Sequence, residues 1–205
     1  MAQGKLYIIA APSGAGKTSL VGALLEKMDN LEVSISHTTR SSRPGEEDGK
    51  NYFFVNEVQF QEMCEQHLFL EHAMVYGHYY GTSKEWVDNK LSKGVDIILE
   101  IDWQGAQQIK KLLPDCLSIF ILPPAKEALR QRLIKRGQDE AEVIEARMQK
   151  AQEEISHFDE YDYLVVNDEF QVALEDLAAI IGSQRLLLQQ QRQRHRGLLQ
   201  ELLSH

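Results

Sequence analysis

Short apolar runs alternate along most of the chain with segments of helical periodicity. Four runs rich in branched residues predict buried strands, and their sequences are KLYIIA, VDIILEID, LSIFIL and YLVV. The segment that begins at Thr18 spaces its apolar residues as one face of a helix, at Leu20, Val21, Leu24, Leu25 and Met28. Strands followed by helices are typical of a parallel sheet covered by helices, so we predict an α/β fold.

The pattern changes between about residues 33 and 83. VSISHTTR, NYFFV and FLEHAMV predict further strands around the polar loop SSRPGEEDGK. TSKE, from Thr82 to Glu85, places a capping oxygen three residues before a carboxylate, which predicts the start of a helix. We therefore expect a small β-rich subdomain inserted into the α/β core.

The last third of the chain predicts helices. One opens at Pro124 and ends at Gly137, and DEAE, from Asp139 to Glu142, starts a second. The tail from Ser183 predicts an extended amphipathic helix, which fits either a terminal packing helix or a surface for self-association.

Composition limits the function classes. With 205 residues, of which 43% are hydrophobic, the chain can bury one substantial core, so we expect one domain with insertions. The net charge of -9 argues against a nucleic-acid partner. Cys64 and Cys116 have no metal-site or CxxC spacing and are expected to be reduced thiols. No apolar run approaches the roughly 18 residues of a membrane span, and we expect a cytoplasmic protein without a membrane partner.

The stretch APSGAGKTS follows the first predicted strand and opens the first predicted helix. A glycine-rich turn that leads into a helix amino terminus can wrap its N–H groups around phosphate oxygens. Lys17 would then reach the β- and γ-phosphates, and the Thr18 hydroxyl would complete Mg²⁺ coordination. Ala11 stands where the GxxxxGK[ST] pattern has its first glycine, and an ordinary glycine turn is the alternative. The predicted ATP-binding residues are Ala11, Pro12, Ser13, Gly14, Ala15, Gly16, Lys17, Thr18 and Ser19.

Two further groups of arginines suit phosphate chemistry. Arg40 and Arg43, beside the hydroxyls of Ser36, Thr38, Thr39 and Tyr52, would hold a dianionic monophosphate, although a solvated turn explains the same residues. Arg132 and Arg136 share one helix face, and Arg147 lies on the next helix. Mobile arginines that close over a phosphoryl group would stabilise its charge. The alternative is a set of surface arginines paired with Glu127 or Glu140.

The chain up to about Ser183 resembles the guanylate kinase family. The motifs that carry the resemblance occur in order: APSGAGKTS, SISHTTRSSRPGEEDGKNYFFV, FLEHAMVYGHYYGTS, ILEIDWQG, RLIKRGQ, EARM and YLVVND. The resemblance implies a parallel core sheet of the phosphate-loop NTPase type at 1–32, 84–123 and 158–205, a GMP-binding insertion at 33–83 and a helical lid at 124–157. It also implies transfer of the γ-phosphoryl group from ATP, with Mg²⁺, to GMP and dGMP in purine nucleotide metabolism.

The resemblance also assigns roles by position. Lys17 and the arginines at 40, 43, 132, 136 and 147 would be catalytic, with Glu46 orienting Arg40 and Arg43. Asn167 and Asp168 would lie near the adenine. The acceptor GMP would contact Ser36, Arg40, Arg43, Glu46, Tyr52, Glu71, Tyr80, Gly81, Thr82, Glu100 and Asp102. The family usually has aspartate where Glu100 stands, and the extra methylene could move that carboxylate by about 1.5 Å.

Guanine recognition can be argued from chemistry as well. A carboxylate facing the N1–H and N2–H donors and a hydroxyl facing O6 match guanine, whereas adenine has no proton on N1. Glu71 and Thr82 supply such a pair, although Glu71 could equally be an edge-strand charge. No side-chain base is required, because the acceptor phosphate is already anionic.

Two other functions stay open at this point. One is a related phosphate-loop kinase that acts on another nucleoside monophosphate or on a sugar phosphate. The other is a catalytically silent peptide-binding module, which Lys17, Thr18 and the lid arginines argue against. The sequence leaves open whether the chain forms a homo-oligomer.

Overall fold

The computed structural model describes residues 3–75, 77–135 and 141–204. A single 3-10 turn, Phe158–Glu160, is found in the described residues. The strands are β1 Leu6–Ala10, β2 Leu31–Val33, β3 His37–Thr38, β4 Phe53–Phe54, β5 Phe69–Val75, β6 His78–Ser83, β7 Asp96–Leu99, β8 Leu117–Leu122 and β9 Tyr163–Val166. The helices are α1 Lys17–Lys27, α2 Glu57–Glu65, α3 Lys84–Ser92, α4 Trp103–Leu112, α5 Lys126–Lys135, α6 Ala141–Ile155, α7 Phe170–Arg185, α8 Leu188–Arg194 and α9 Arg196–Leu203.

A parallel sheet forms the core, in the order β2-β7-β1-β8-β9. All four predicted strands belong to it, and the predicted α/β fold is confirmed. The prediction of YLVV as a central, buried strand is wrong, because β9 lies at the edge of the sheet and three of its four residues are exposed. Alternate residues of β1 pack on opposite faces of the sheet. Tyr7 and Ile9 belong to the apolar cluster that includes α1 and α7, whereas Leu6 and Ile8 belong to the cluster that includes α3 and α4. The strands β1 and β7 are buried along their whole length and β8 nearly so, which fits their largely apolar sequences.

A smaller sheet, in the order β4-β3-β6-β5, forms between β2 and α3. Its hairpin of β5 and β6 pairs Glu71 with Thr82, which places these two predicted site residues side by side. We predicted that VSISHTTR forms one strand, and this prediction is wrong. Val33 ends β2 in the core sheet, and only His37 and Thr38 form β3. The strand β6 and the helix α2 were not predicted.

The helix that starts near Thr82 is confirmed, but its cap is one residue later. The hydroxyl of Ser83 accepts a hydrogen bond from the backbone N–H of Trp86 at 3.3 Å. Thr82 remains in β6, where its side chain is buried. Its hydroxyl is therefore available to the site rather than to the helix.

The predicted lid consists of α5 and α6, which bury their own apolar cluster of Leu129, Leu133, Ile144, Met148 and Ala151. The predicted end of α5 at Gly137 and the predicted cap at Asp139 lie outside the described residues.

The prediction of one extended helix in the tail is wrong. After α7 the tail forms the two short helices α8 and α9, separated at His195, and no described residue of either helix is buried. The packing interpretation is therefore not supported, and self-association stays a prediction. Among the described residues, no helix combines the length and apolar character needed to cross a membrane.

Candidate active site

The phosphate loop, residues 11–19, gets its shape from the backbone. Gly14 and Gly16 have φ angles of +94° and +95°, in the left-handed region that favours glycine. The N–H of Ala15 donates to the carbonyl of Pro12 at 3.0 Å, and Gly16 leads directly into α1. The loop therefore curves around the amino terminus of α1, where unpaired N–H groups attract an anion.

Side chains from two segments that are distant in sequence form hydrogen bonds with the backbone of the loop. Nδ2 of Asn167 donates to the carbonyl of Ala15 at 2.7 Å, and Nη1 of Arg132 donates to the same oxygen at 3.2 Å. A Cβ atom on Gly16 would lie 2.4 Å from Nδ2 of Asn167, so this close approach also requires glycine. Arg132 and Asn167 both contact the loop backbone, and Nη2 of Arg132 also donates to the carbonyl of Asn167 at 3.1 Å. Their predicted catalytic and adenine-binding roles stay predictions. Asp168, next to Asn167, is exposed.

Lys17, the first residue of α1, has an acidic neighbour from the core sheet. Its Nζ lies 3.6 Å from Oε1 of Glu100, which follows directly after β7. Glu100, where the resemblance implies aspartate, thus approaches the cation of the phosphate loop. Both side chains are about one-quarter exposed, at 23% and 26%, so solvent can reach the pair and incoming phosphates can compete for Lys17.

Arg40 and Glu46 form a bidentate pair in the loop between β3 and β4. Both guanidinium-to-carboxylate distances are 2.9 Å, and the carboxylate also accepts the backbone N–H of Arg43 at 2.7 Å. The hydrogen bonds from Arg40 hold the pKa of Glu46 below its usual value. Tyr52 lies against the Arg40 guanidinium, whose carbon is 5.2 Å from the ring centroid. Glu46 therefore contacts the Arg40 guanidinium and the Arg43 backbone, and its predicted role in orienting the two arginines stays a prediction.

Glu71 is a buried carboxylate, only 4% exposed, at the edge of the small sheet. The hydroxyl of Thr82 donates to its Oε1 at 2.6 Å. Burial is the main cause that raises the pKa of Glu71 to about 7, and the charge of Asp102 adds to the effect. A Cβ atom on Gly105 would lie 2.7 Å from Oε2 of Glu71, so α4 approaches the carboxylate closely. Because Thr82 donates to Glu71 here, its predicted role as a donor to O6 stays a prediction.

Two other predicted site residues, Asp102 and Gly81, have structural roles in the fold. Asp102 caps α4, since its Oδ1 accepts the backbone N–H of Gly105 at 3.0 Å. A Cβ atom on Gly81 would lie 2.9 Å from the ring of Phe69, so glycine leaves room for that ring. Their predicted contacts with GMP stay predictions.

A cleft of about 750 Å³ separates the phosphate loop from the small sheet. The predicted residues that line it together are Ala11, Ser13, Lys17, Thr18, Ser19, Ser36, Arg40, Arg43, Glu46, Tyr52, Glu71, Tyr80, Glu100 and Asp102. Its lining leaves out Pro12, Gly14, Ala15, Gly16, Gly81, Thr82, Arg132, Arg147, Asn167 and Asp168, all of which are described. Arg136 lies outside the described residues.

Sequence reasoning missed eight further residues in this lining, which are Ala10, Asn51, Ala73, Val75, Ile101, Trp103, Phe120 and Glu154. Glu154 belongs to α6, and its Oε2 accepts the backbone N–H of Ser13 at 3.2 Å. Burial raises the pKa of Glu154. The signal that could have found it is its position seven residues after Arg147, on the same face of the helix.

Comparisons with known proteins agree with this geometry. Residues 3–184 match the family model described as guanylate kinase. The guanylate kinase of Hahella chejuensis is 59% identical over 204 residues, which cover 100% of this chain and 98% of the relative. That of Escherichia coli K12 is 56% identical over 206 residues, covering 100% of both chains. The crystal structure of guanylate kinase from Anaplasma phagocytophilum superposes with a TM-score of 0.77 at 32% identity, over 91% of this chain and 89% of that one. The chain therefore belongs to the guanylate kinase family and is a kinase.

Proposed function

We propose that this enzyme transfers the γ-phosphoryl group of ATP, with Mg²⁺, to GMP and to dGMP as part of purine nucleotide metabolism. An oxygen of the acceptor monophosphate forms a bond to the γ-phosphorus, and the bond from that phosphorus to the β,γ-bridging oxygen breaks. The products are GDP, or dGDP, and ADP. The acceptor oxygen is already anionic, so the protein has to position and neutralise charge rather than remove a proton.

The observation that carries the proposal is that the phosphate loop and the Arg40 loop line one cleft. Lys17 and Thr18 face it from the core, and Arg40 and Arg43 face it from the small sheet. Two anionic nucleotides placed end to end repel each other, and cations from both sides reduce that repulsion. Had the two loops faced opposite surfaces, phosphoryl transfer between their ligands would have needed a large rearrangement.

The residues in the cleft fit a metal ion that arrives with the nucleotide. Among the described residues, no group of three or more His, Cys, Asp or Glu side chains is arranged to hold a metal ion. Mg²⁺ commonly uses few protein ligands, because phosphates and waters fill most of its coordination sphere. The Thr18 hydroxyl would be a direct ligand, and the carboxylates of Glu100 and Asp102 face the same cleft and could hold its waters. When bound, Mg²⁺ neutralises phosphate charge.

The acceptor base would lie against Glu71. The ionised carboxylate of Glu71 can accept hydrogen bonds from the N1–H and N2–H groups of guanine. The hydrogen bond from Thr82 fixes the orientation of this carboxylate. The division into a core, an insertion at 33–83 and a lid at 124–157 remains part of this proposal. So do the roles of the lid arginines and the cytoplasmic location.

The experiment is an acceptor panel in an assay that measures ADP formation from ATP and Mg²⁺. We expect turnover with GMP and dGMP. IMP lacks the N2 amino group, and the loss of one hydrogen bond to a charged group should reduce kcat/KM about tenfold to a hundredfold. AMP presents an unprotonated N1 to Glu71 and should be the poorest purine. Rapid turnover of UMP or AMP without turnover of GMP would reject the proposal, and no turnover with any acceptor would favour a silent binding module.

A further inference from the structure

We propose that Trp103 and His157 are positioning residues of the phosphoryl transfer. Their stacked rings anchor the carboxyl-terminal end of the lid to α4 and so hold α6 against the phosphate loop. This inference rests on the proposed function, and its test separates the two.

The two rings form a close and nearly parallel stack. Their centroids are 3.9 Å apart, and the angle between their planes is 9°. Trp103 is the first residue of α4, and His157 comes two residues after the end of α6. The stack therefore joins the end of the predicted lid to a core helix.

Glu160, three residues after the predicted lid ends, strengthens the connection. Nδ1 of His157 lies 2.6 Å from Oε1 of Glu160, in a hydrogen bond that keeps the imidazole ring oriented. Nε2 of Gln107 donates to the other carboxylate oxygen of Glu160 at 2.8 Å, and Nζ of Lys110 donates to its backbone carbonyl at 2.6 Å. These hydrogen bonds from His157 and Gln107 lower the pKa of Glu160, so it stays ionised.

The residues of α4 in this contact lie on one face of the helix. Trp103, Gln107 and Lys110 are separated by four and three residues, which brings successive turns of α4 against the same segment. We call these three residues, together with His157 and Glu160, the lid anchor. Contacts from three positions along a helix fix the direction of the attached segment as well as its distance.

Both elements that the lid anchor joins, α4 and α6, contribute residues to the cleft. Trp103 itself lines the cleft and directly follows Asp102. Glu154, three residues before His157, lines the same cleft and accepts the N–H of Ser13 in the phosphate loop. A shift of the lid end would therefore move α6 relative to the bound phosphates, and misplacement by about 1 Å can slow a reaction about a hundredfold.

A purely structural role predicts a different result. If the stack only adds packing, its loss would lower thermal stability and leave turnover of the folded enzyme unchanged. If it positions the lid, kcat would fall in enzyme that is still folded. The test must therefore measure kcat, KM and thermal unfolding on the same variants.

The main variants are His157→Asn and Trp103→Ala, with Trp103→Phe as the conservative variant. In His157→Asn the new side chain is too small to stack on the indole, yet its amide can still reach Glu160, so this change isolates the stack. We expect kcat to fall about tenfold in both main variants, with KM for GMP changed less than about threefold, and we expect Trp103→Phe to recover most of the loss.

The chain has two tryptophans, so Trp86 supplies a matched control. Trp86 lies on α3 beside Lys90, packs on the core and is not among the residues that line the cleft. Trp86→Phe should keep kcat near the wild-type value, and it leaves Trp103 as the sole indole emitter. In that background, adding His157→Asn should change the Trp103 emission, because the indole loses its stacked neighbour.

Each outcome decides the question. Lower kcat with changed emission, in protein whose thermal unfolding remains cooperative, supports the inference. Unchanged kcat with changed emission makes the stack packing only, and unchanged emission means that the stack does not exist in solution; either result overturns the inference. If Trp103→Ala does not fold, His157→Asn still decides the question. A wild-type enzyme without GMP turnover would instead reject the proposed function.

Discussion

The two sides of the cleft are built by different means. On the phosphate-loop side, the backbone sets the shape through the positive φ angles of Gly14 and Gly16 and through the contacts on the Ala15 carbonyl. On the side of the small sheet, pairs of side chains set the shape, with Arg40 held by Glu46 and Glu71 held by Thr82. One side is a curved chain of N–H groups, and the other is a set of oriented charges.

The difference follows from what each side has to recognise. Phosphate oxygens are alike in every nucleotide, so backbone N–H groups and one lysine are sufficient to bind them. A monophosphate and a base must be distinguished from others, which requires side chains in fixed directions before the ligand arrives. Substitutions on the phosphate-loop side should therefore reduce the rate with every acceptor, whereas substitutions on the other side should change acceptor affinity and choice.

The largest effect is expected from Lys17→Ala. The variant loses the cation that would stabilise charge on the transferred group, and Glu100 loses its neighbour at 3.6 Å. We expect kcat to fall on the order of a hundredfold to a thousandfold with GMP and with dGMP, while the protein stays folded. Steady-state kinetics and circular dichroism measure the two effects.

Lys27 is the matched control for this change, because it is an exposed lysine at the far end of the same helix. Lys27→Ala should leave kcat within about twofold of wild type, as expected for a surface substitution. An unchanged kcat in Lys17→Ala would contradict the assignment of the phosphate loop as the donor site.

An intermediate effect is expected on the other side of the cleft from Arg40→Lys. Lysine keeps the charge but cannot form the bidentate contact with Glu46 or with a phosphate. The loss of one charge-assisted hydrogen bond predicts that kcat/KM for GMP falls about tenfold to a hundredfold, with a smaller change in KM for ATP.

The same loop contains a control ion pair. The charged groups of Lys50 and Glu47 are 3.5 Å apart, and the two side chains are 71% and 67% exposed, so this ion pair contributes little to stability. Lys50→Ala should therefore leave kcat/KM for GMP nearly unchanged. Combining Arg40→Lys with Glu46→Gln tests whether the carboxylate acts through the arginine. If the losses in kcat/KM for GMP of the two single variants, expressed as free energies, simply add in the double variant, Glu46 does not orient Arg40.

This contrast explains which parts of the site could be predicted from the sequence. The phosphate loop is a run of consecutive residues, so its pattern carries both the turn and the chemistry. Arg40 and Glu46 are six residues apart in one loop, and their pairing needs no knowledge of the fold. The contact of Glu154 with Ser13 joins residues 141 positions apart, and it exists only because α6 packs beside the loop.

The fold shows the same dependence on distance along the chain. The central strands β1, β7 and β8 are buried on both faces, which makes them largely apolar runs that can be recognised locally. The strand β3 has only two residues, too few to show a period, and α2 buries only Phe60. The start of α2 nevertheless carried a signal that we did not use, a capping box formed by Asn56 and Gln59.

The smallest effect concerns the charge state of Glu71. Its ionised form accepts the guanine donors, and its pKa of about 7 means that protons compete with GMP near neutral pH. We expect kcat/KM for GMP to rise about tenfold between about pH 6 and about pH 8. Glu71→Gln cannot ionise, so the ratio of wild type to this variant removes the titration of GMP itself. A ratio that does not change with pH would contradict the assigned role.

The free energy of unfolding should fall as the pH rises and Glu71 loses its proton, whereas kcat/KM for GMP should rise. The folded-state pKa of Glu71, about 7, lies above its usual value near 4.5, so the folded protein binds the proton more tightly than the unfolded chain does. The resulting stabilisation is complete below about pH 4.5 and is lost as the pH rises through about 7. Relative to Glu71→Gln, the free energy of unfolding of the wild type should fall by roughly 2 kcal/mol between about pH 5 and about pH 8, measured by urea titration. The pH that favours guanine binding is thus the pH at which the empty fold is less stable, as expected for a buried charge that serves the ligand.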